Sequence, residues 1–212
     1  MQSLTDVQNT AFMAIGPSRI AALSLLALSQ GQSDSADTEP KAVLDLSVQR
    51  LNAAYAMLGS GLDELLEECR YSLPEPLEAK RKACRQVLQP LHKAISKSEQ
   101  DVLQQLRAIP GLSDLCLFQL EPVISDFLKD MVHNLREAQQ LREVQREENM
   151  RTTIANAESV GRNIKFISFN ASIEAARIGD MGKGFAVIAT EIRDLSGKTQ
   201  TLLEEISSYL KH

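Results

Sequence analysis

Apolar residues recur along this chain at spacings of three and four, which predicts helices from end to end. Residues 3–14 predict a short helix that stops at Gly16-Pro17, and a second can start there because proline is tolerated in a first turn. The stretch "GQSDSADTEP", residues 31–40, is small, polar and acidic, and predicts a flexible linker. Leu44, Val48, Leu51, Tyr55, Leu58, Leu62, Leu65 and Cys69 then alternate spacings of four and three, a heptad seam that "YSLPEP" ends at Pro74 and Pro76. A further periodic segment runs from Leu77 to Ile109 through Cys84, Leu88, Leu91, Ile95, Val102 and Leu106, with Pro90 inside it as an expected kink. "IPG", residues 109–111, breaks the chain again. Leu120, Ile124, Phe127, Met131, Leu135 and Ala138 mark another long helix, with Pro122 near its start and no breaker before Gly161. The polar run "LREAQQLREVQREENMR" therefore stays helical, and so charged a helix protrudes or bridges two bodies.

The last part of the chain carries two more seams. One passes through Ile154, Ala157, Val160, Ile164, Ile167, Ala171, Ala175 and Ile178. The other passes through Ile188, Ile192, Leu195, Thr199, Leu202, Ile206 and Tyr209. Between them lie Gly179, Gly182 and Gly184, so the pattern predicts an antiparallel coiled-coil hairpin with its tip at 179–184. Reflection about the loop pairs Phe185 with Ile178 and His212 with Arg151. Gly179 falls where a helix end favours a left-handed residue, and Gly182 and Gly184 let the chain reverse. Ser168, Ala171, Ser172 and Ala175 are small enough for helices to approach closely. The fold class is thus all-α: N-terminal helices and an acidic linker (1–40), a helical bundle (41–148), and a hairpin (149–212).

Composition narrows the function. The chain has 212 residues, is 43% hydrophobic but only 4% aromatic, and has no Trp, which suits helices packed through Ala, Leu and Ile. Net charge is −5 with both signs scattered and no basic block, which argues against nucleic acid. Cys69, Cys84 and Cys116 are odd in number and widely spaced, so they imply neither a disulfide framework nor zinc. The longest N-terminal apolar run, "IAALSLLAL", is about half a bilayer span, and no signal peptide precedes it; a cytoplasmic protein with no membrane span is expected. The glycine loop is no phosphate cradle, because no strand precedes it and Lys183 is not followed by Ser or Thr. His92 and His133 are the first candidates for a haem or metal in the bundle, against the default of satisfied or solvent-facing histidines. No cofactor is expected. No nucleophile has a plausible base, so an enzyme is not expected. Asn170, Glu174 and Arg177 share one helix face, and Val187 lies outside its seam beside charges, as a small docking patch requires.

The run "FNASIEAARIGDMGKGFAVIATEIRDLS" resembles the signalling tip of methyl-accepting chemotaxis receptors, without a gap and with all three glycines. That resemblance implies a helical hairpin, four-helix dimers, trimers of dimers, and tips that bind a coupling protein and control a chemotaxis histidine kinase. It implies trimer contacts at Asn170, Glu174 and Arg177, and coupling-protein and kinase contacts at Asp180, Lys183, Val187 and Ile188. "RNIKFISFN" departs from the family's usual run: Arg162 stands where an aromatic trimer contact is common, and Asn163, Ile164 and Lys165 replace Gln-Thr-Asn. The pair Glu204-Glu205 superficially resembles a methylation pair but lies too near the tip. The expected function is a chemoreceptor-like transducer that forms a homodimer; the alternative is an adaptor or scaffold that keeps the hairpin for oligomerisation or docking.

Overall fold

The computed structural model describes residues 3–31, 38–96 and 102–210, and every regular element among them is helical. The chain divides into two compact units, Met1–Gln139 and Gln140–His212.

The first unit is a helical bundle. Its opening helix, α1 (Leu4–Ile15), is set by a capping box: Ser3 Oγ accepts from the Asp6 amide, and the Asp6 carboxylate accepts from the Ser3 amide. Gly16 and Pro17 keep right-handed helical angles, so α1 passes into α2 (Ser18–Gln30) without a reversal. Pro17 supplies no amide to Met13, which is where the regular ladder is interrupted. Taken together, Leu4–Gln30 is long and apolar enough to cross a membrane by length and composition alone, with a mean hydropathy of 1.7 in its most apolar window, although the unbroken run "IAALSLLAL" is shorter than a span. A core helix passes the same test, and 44% of that window is buried, with Leu4, Val7, Ala11, Ile15, Ala22 and Leu25 in the bundle core.

Along the next helical stretch, α3 (Thr38–Ala56) and α4 (Leu62–Glu68) are joined by a π-helical turn at Met57–Gly61, with Gly59 outside helical angles. The heptad seam is retained through that turn: Leu51, Leu58, Leu62 and Cys69 are buried and Tyr55 and Leu65 half-buried. α3 starts inside the expected linker, while residues 32–37 of that linker lie outside the described residues. The helix ends at Glu68, before the prolines expected to end it. Arg70 takes a left-handed φ of 49°, and the Tyr71 amide turns back to the Leu66 carbonyl. Pro74 and Pro76 instead open α5 (Glu75–Ile95), where missing amides cost nothing.

α5 holds Pro90 but stops at Ile95, so the periodic run to Ile109 is not one helix. Val102 and Leu106 belong to a separate α6 (Val102–Arg107), and residues 97–101 are outside the described set. Arg107 donates to the Ser29 and Gly31 carbonyls, a cation at the C-terminus of α2. After Gly111, at φ 68°, α7 (Leu112–Asp114) and a π-helical turn (Leu115–Gln119) lead into α8 (Leu120–Ile178). Leu120, Ile124, Phe127, Leu128, Met131 and Leu135 close the core, each contributing about 1.5–3 kcal/mol of burial. Polar ties fix the packing: Arg19 to Glu121 and Ser125, Tyr71 to Asn134, Lys80 to Asp126 and Asp130, and nearly buried Arg81 to Asp63 and Glu78. All three cysteines are buried free thiols; burial pushes Cys84 up to about 12 and Cys116 up to about 11, so both stay protonated and inert.

Candidate functional site

The second unit comprises α8 from residue 140 onward, a 3₁₀ turn at Gly179–Gly182, and α9 (Lys183–Tyr209). Gly161 lies inside α8 without breaking it. Gly179 has φ 73°, an angle that strains any residue bearing a Cβ. Gly182 is demanded by packing: a Cβ there would lie 2.0 Å from the Ala175 carbonyl oxygen. Gly184 is the second residue of α9 and a Cβ on it meets nothing within 4 Å, so the steric demands of the turn fall on Gly179 and Gly182.

Burial in this unit follows one strict rule. On α8 the residues with little exposure are Ile154, Gly161, Ser168 and Ala175; after the turn they are Gly182, Ala189 and Ser196, with Leu203 and Leu210 half-buried. Each set advances by seven, so each forms one row along its helix. The buried ones are small except Ile154, and the large Leu203 and Leu210 lie toward the end away from the turn. The Ser196 hydroxyl donates to the Gly161 carbonyl at 2.7 Å, a bond that requires the two backbones to lie close. Toward the base, Arg151 Nη2 donates to the Leu210 carbonyl at 3.1 Å.

These contacts correct the expected register. Reflection about the whole loop would set Ser196 against Ile167, whereas it meets Gly161. The shift arises because Gly182 already packs on Ala175, so α9 begins its contacts before the loop was expected to end. His212, expected opposite Arg151, lies outside the described residues. The large seam residues do not face each other as intrachain partners. Val160, Ile164, Ile167 and Ile178 on α8, and Ile188, Ile192, Leu195, Leu202 and Ile206 on α9, are all exposed, from 41% at Ile164 to 65% at Ile167 and Leu195. In heptad terms they sit three and six positions after the buried row, about a quarter-turn around each helix from the contact.

The residues singled out in the sequence lie at and near the turn, all exposed. Arg177 Nη1 is 3.7 Å from Glu174 Oε2, one turn apart, and Asn170 lies one turn before Glu174. Lys183 Nζ pairs with Asp180 Oδ1 at 2.8 Å across the turn. Val187 and Ile188 are 66% and 55% exposed. With Ala186, Thr190, Glu191 and Asp194, Val187 lines an open groove of about 440 Å³ along α9, with both apolar and acidic lining residues. Arg162 is exposed and 3.8 Å from Glu158, which offsets part of its charge. Of this small row the sequence pattern marks Ser168 and Ala175 as sites of close approach, and the sevenfold spacing of Gly161, Ser168 and Ala175, and of Gly182, Ala189 and Ser196, is the signal for the rest.

The histidines show other environments. His92 is stacked on Tyr55 in the first unit, and His133 is exposed with Nε2 3.2 Å from Glu137. Among the described residues no group of three or more His, Cys, Asp or Glu is placed to hold a metal.

The comparison with known families falls on the C-terminal part of the chain. Residues 124–212 fit the family model of the methyl-accepting chemotaxis protein (MCP) signalling domain. Among curated proteins, the methyl-accepting chemotaxis protein Amb0994 of Paramagnetospirillum magneticum is 43% identical over 53 residues, 25% of this chain and 12% of that protein. McpQ of Pseudomonas putida is 46% identical over 52 residues, 24% of this chain and 8% of its own length. McpS of the same species is 36% identical over 83 residues, 39% of this chain and 13% of its own length. The chain thus spans only a small fraction of these relatives. No solved structure matches. MCP signalling domains are non-catalytic transducers, and residues 124–212 of this chain are homologous to that domain.

Proposed function

We propose that this chain is a chemoreceptor-like signal transducer acting in the cytoplasm. Its α8–α9 segment forms an antiparallel coiled-coil hairpin (149–212) whose tip binds a chemotaxis coupling protein and histidine kinase and modulates the kinase. The observation that carries this reading is the unbroken tip motif, whose charged and apolar residues are exposed around a turn that requires glycine at 179 and 182. In this assignment Asp180, Lys183, Val187 and Ile188 contact the coupling protein and kinase. Asn170, Glu174 and Arg177 contact other dimers, and Gly179 and Gly182 make the turn, with Gly184 opening α9 beside it. The bundle of residues 41–148, preceded by the helices and linker of 1–40, acts as the sensory or dimerising part, with no membrane span.

A homodimer follows from the exposed seams. Two hairpins that join their apolar stripes make a four-helix bundle, with the small row of each hairpin holding its own two helices together. An adaptor that binds without changing kinase activity is the second reading, favoured by Arg162, Asn163, Ile164 and Lys165 just before the motif.

One experiment separates them: a pull-down with purified coupling protein and kinase, followed by a kinase autophosphorylation assay. Binding with altered autophosphorylation supports the transducer; binding without it supports the adaptor. Absence of binding, where an authentic receptor tip binds, overturns both. Val187→Glu should weaken the complex at least about tenfold by placing a charge in a desolvated contact. Unchanged affinity removes Val187 from the contact.

A further inference from the structure

The first unit carries a cationic groove for which the hairpin has no use. On α5, Lys82, Arg85, Gln86 and Gln89 are spaced to share one face. With Tyr55 of α3 they line an open groove of about 390 Å³ that has no carboxylate among its lining residues. That size suits a small ligand. Tyr55 forms its wall: the ring stacks on His92, with centroids 3.8 Å apart and planes 12° apart, and the Arg85 guanidinium lies 4.9 Å from the Tyr55 centroid.

Neighbouring cations are treated differently. Arg81, one turn earlier on α5, is held by Asp63 and Glu78, and Lys80 by Asp126 and Asp130. Among the described residues Arg85 and Lys82 have no such carboxylate. Arg85 packs on Tyr55 and against Gly59, where a Cβ would lie 3.7 Å from the guanidinium. Its five N–H donors are therefore uncommitted to any acid. Opposite it, the α3–α4 ladder is broken by the π-helical turn, with Gly59 at φ −83°, ψ −113°. Such turns recur at functional sites. Burial, and then the positive charge of Arg85, hold His92 below the usual imidazole range, consistent with local positive potential.

We propose that this groove is a binding site for a small oxyanion, a carboxylate or a phosphate. Arg85 takes two of its oxygens with the guanidinium fork and Lys82 adds a second charge. The amides of Gln86 and Gln89 donate from the same face, and Tyr55 bounds the ligand's apolar side. The binding stands independently of whether the hairpin reaches a kinase.

Isothermal titration of the full-length protein with succinate, benzoate and inorganic phosphate, at constant ionic strength, tests it. One of the three should bind saturably at one site per chain, with a dissociation constant below about 1 mM. The probe that binds distinguishes carboxylate from phosphate. Arg85→Gln should weaken that binding at least about tenfold, as loss of a charge-assisted bond does. Lys82→Gln should also weaken it, and Lys129→Gln, an exposed cation on α8, should leave it within about twofold. No saturable binding by any probe overturns the proposal, and so does equal weakening by Lys129→Gln. If circular dichroism shows that Arg85→Gln unfolds, exposed Lys82 decides: unchanged binding in Lys82→Gln overturns it.

Discussion

Gly182 and Gly184 look alike in the sequence and differ in what surrounds them. Gly182 is in contact with the Ala175 backbone, whereas Gly184 faces open space in a helix. Gly182→Ala should therefore destabilise the hairpin by about 1–3 kcal/mol through overpacking. Gly184→Ala should raise stability by about 0.5–1 kcal/mol through helix propensity. Thermal unfolding followed by circular dichroism checks both, and a similar loss in the two variants would contradict the geometry. Asp63 supplies a second residue-scale expectation. Hydrogen bonding from Arg81, then its charge, holds the Asp63 carboxyl below its ordinary 3.8 despite some desolvation. A depressed folded value means that the unfolded chain takes up the proton first. The stabilisation is complete above 3.8 and is lost as pH falls through the lower folded value. Asp63→Asn should flatten the melting temperature against pH below about pH 4. A curve that keeps its acid slope would assign that slope to other carboxylates, Asp130 beside Lys80 among them.

At the scale of elements, α8 and α9 carry two rows, a small one that packs them together and a large apolar one that stays exposed. The large apolar residues were legible in the sequence because hydrophobic periodicity detects them directly. The intrachain contact was legible only in part: Ser168 and Ala175 stood out as small, but Gly161, Gly182, Ala189 and Ser196 carry little apolar signal. Ala189→Leu should push α9 from α8 and cost about 1–3 kcal/mol, measured by chemical denaturation. Leu195→Ala, at an exposed seam position, should change hairpin stability far less in a dilute sample. Equal losses would mean that the seam, not the small row, joins the helices. Similar physics governs the bundle. Its seam from Leu44 to Cys69 was readable, yet its true end was not: Arg70 in a left-handed conformation is a local backbone solution that no residue type announces. Pro74 and Pro76 were visible as breakers, but a breaker marks a boundary without saying which helix owns it. The stack of His92, Tyr55 and Arg85 joins residues from two helices, and no spacing within either helix encodes it.

For the whole molecule, the decisive quantity is its mass in solution. A monomer would leave Ile164, Ile167, Ile188, Ile192, Leu195, Leu202 and Ile206 exposed to water along two adjacent helices, and contiguous apolar stripes of this kind mark association surfaces. Light scattering should give a dimer. The double variant Ile192→Asp/Leu202→Asp puts two carboxylates in the α9 stripe of each copy, four in the joined bundle, where neither water nor a cation meets them. It should be a monomer that keeps its helical circular dichroism, since both positions lie away from the small row that holds the hairpin. The same variant should lose its effect on kinase autophosphorylation if the dimer is the signalling unit. A dimer that survives both carboxylates would move self-association to the first unit and leave the stripe to a different partner.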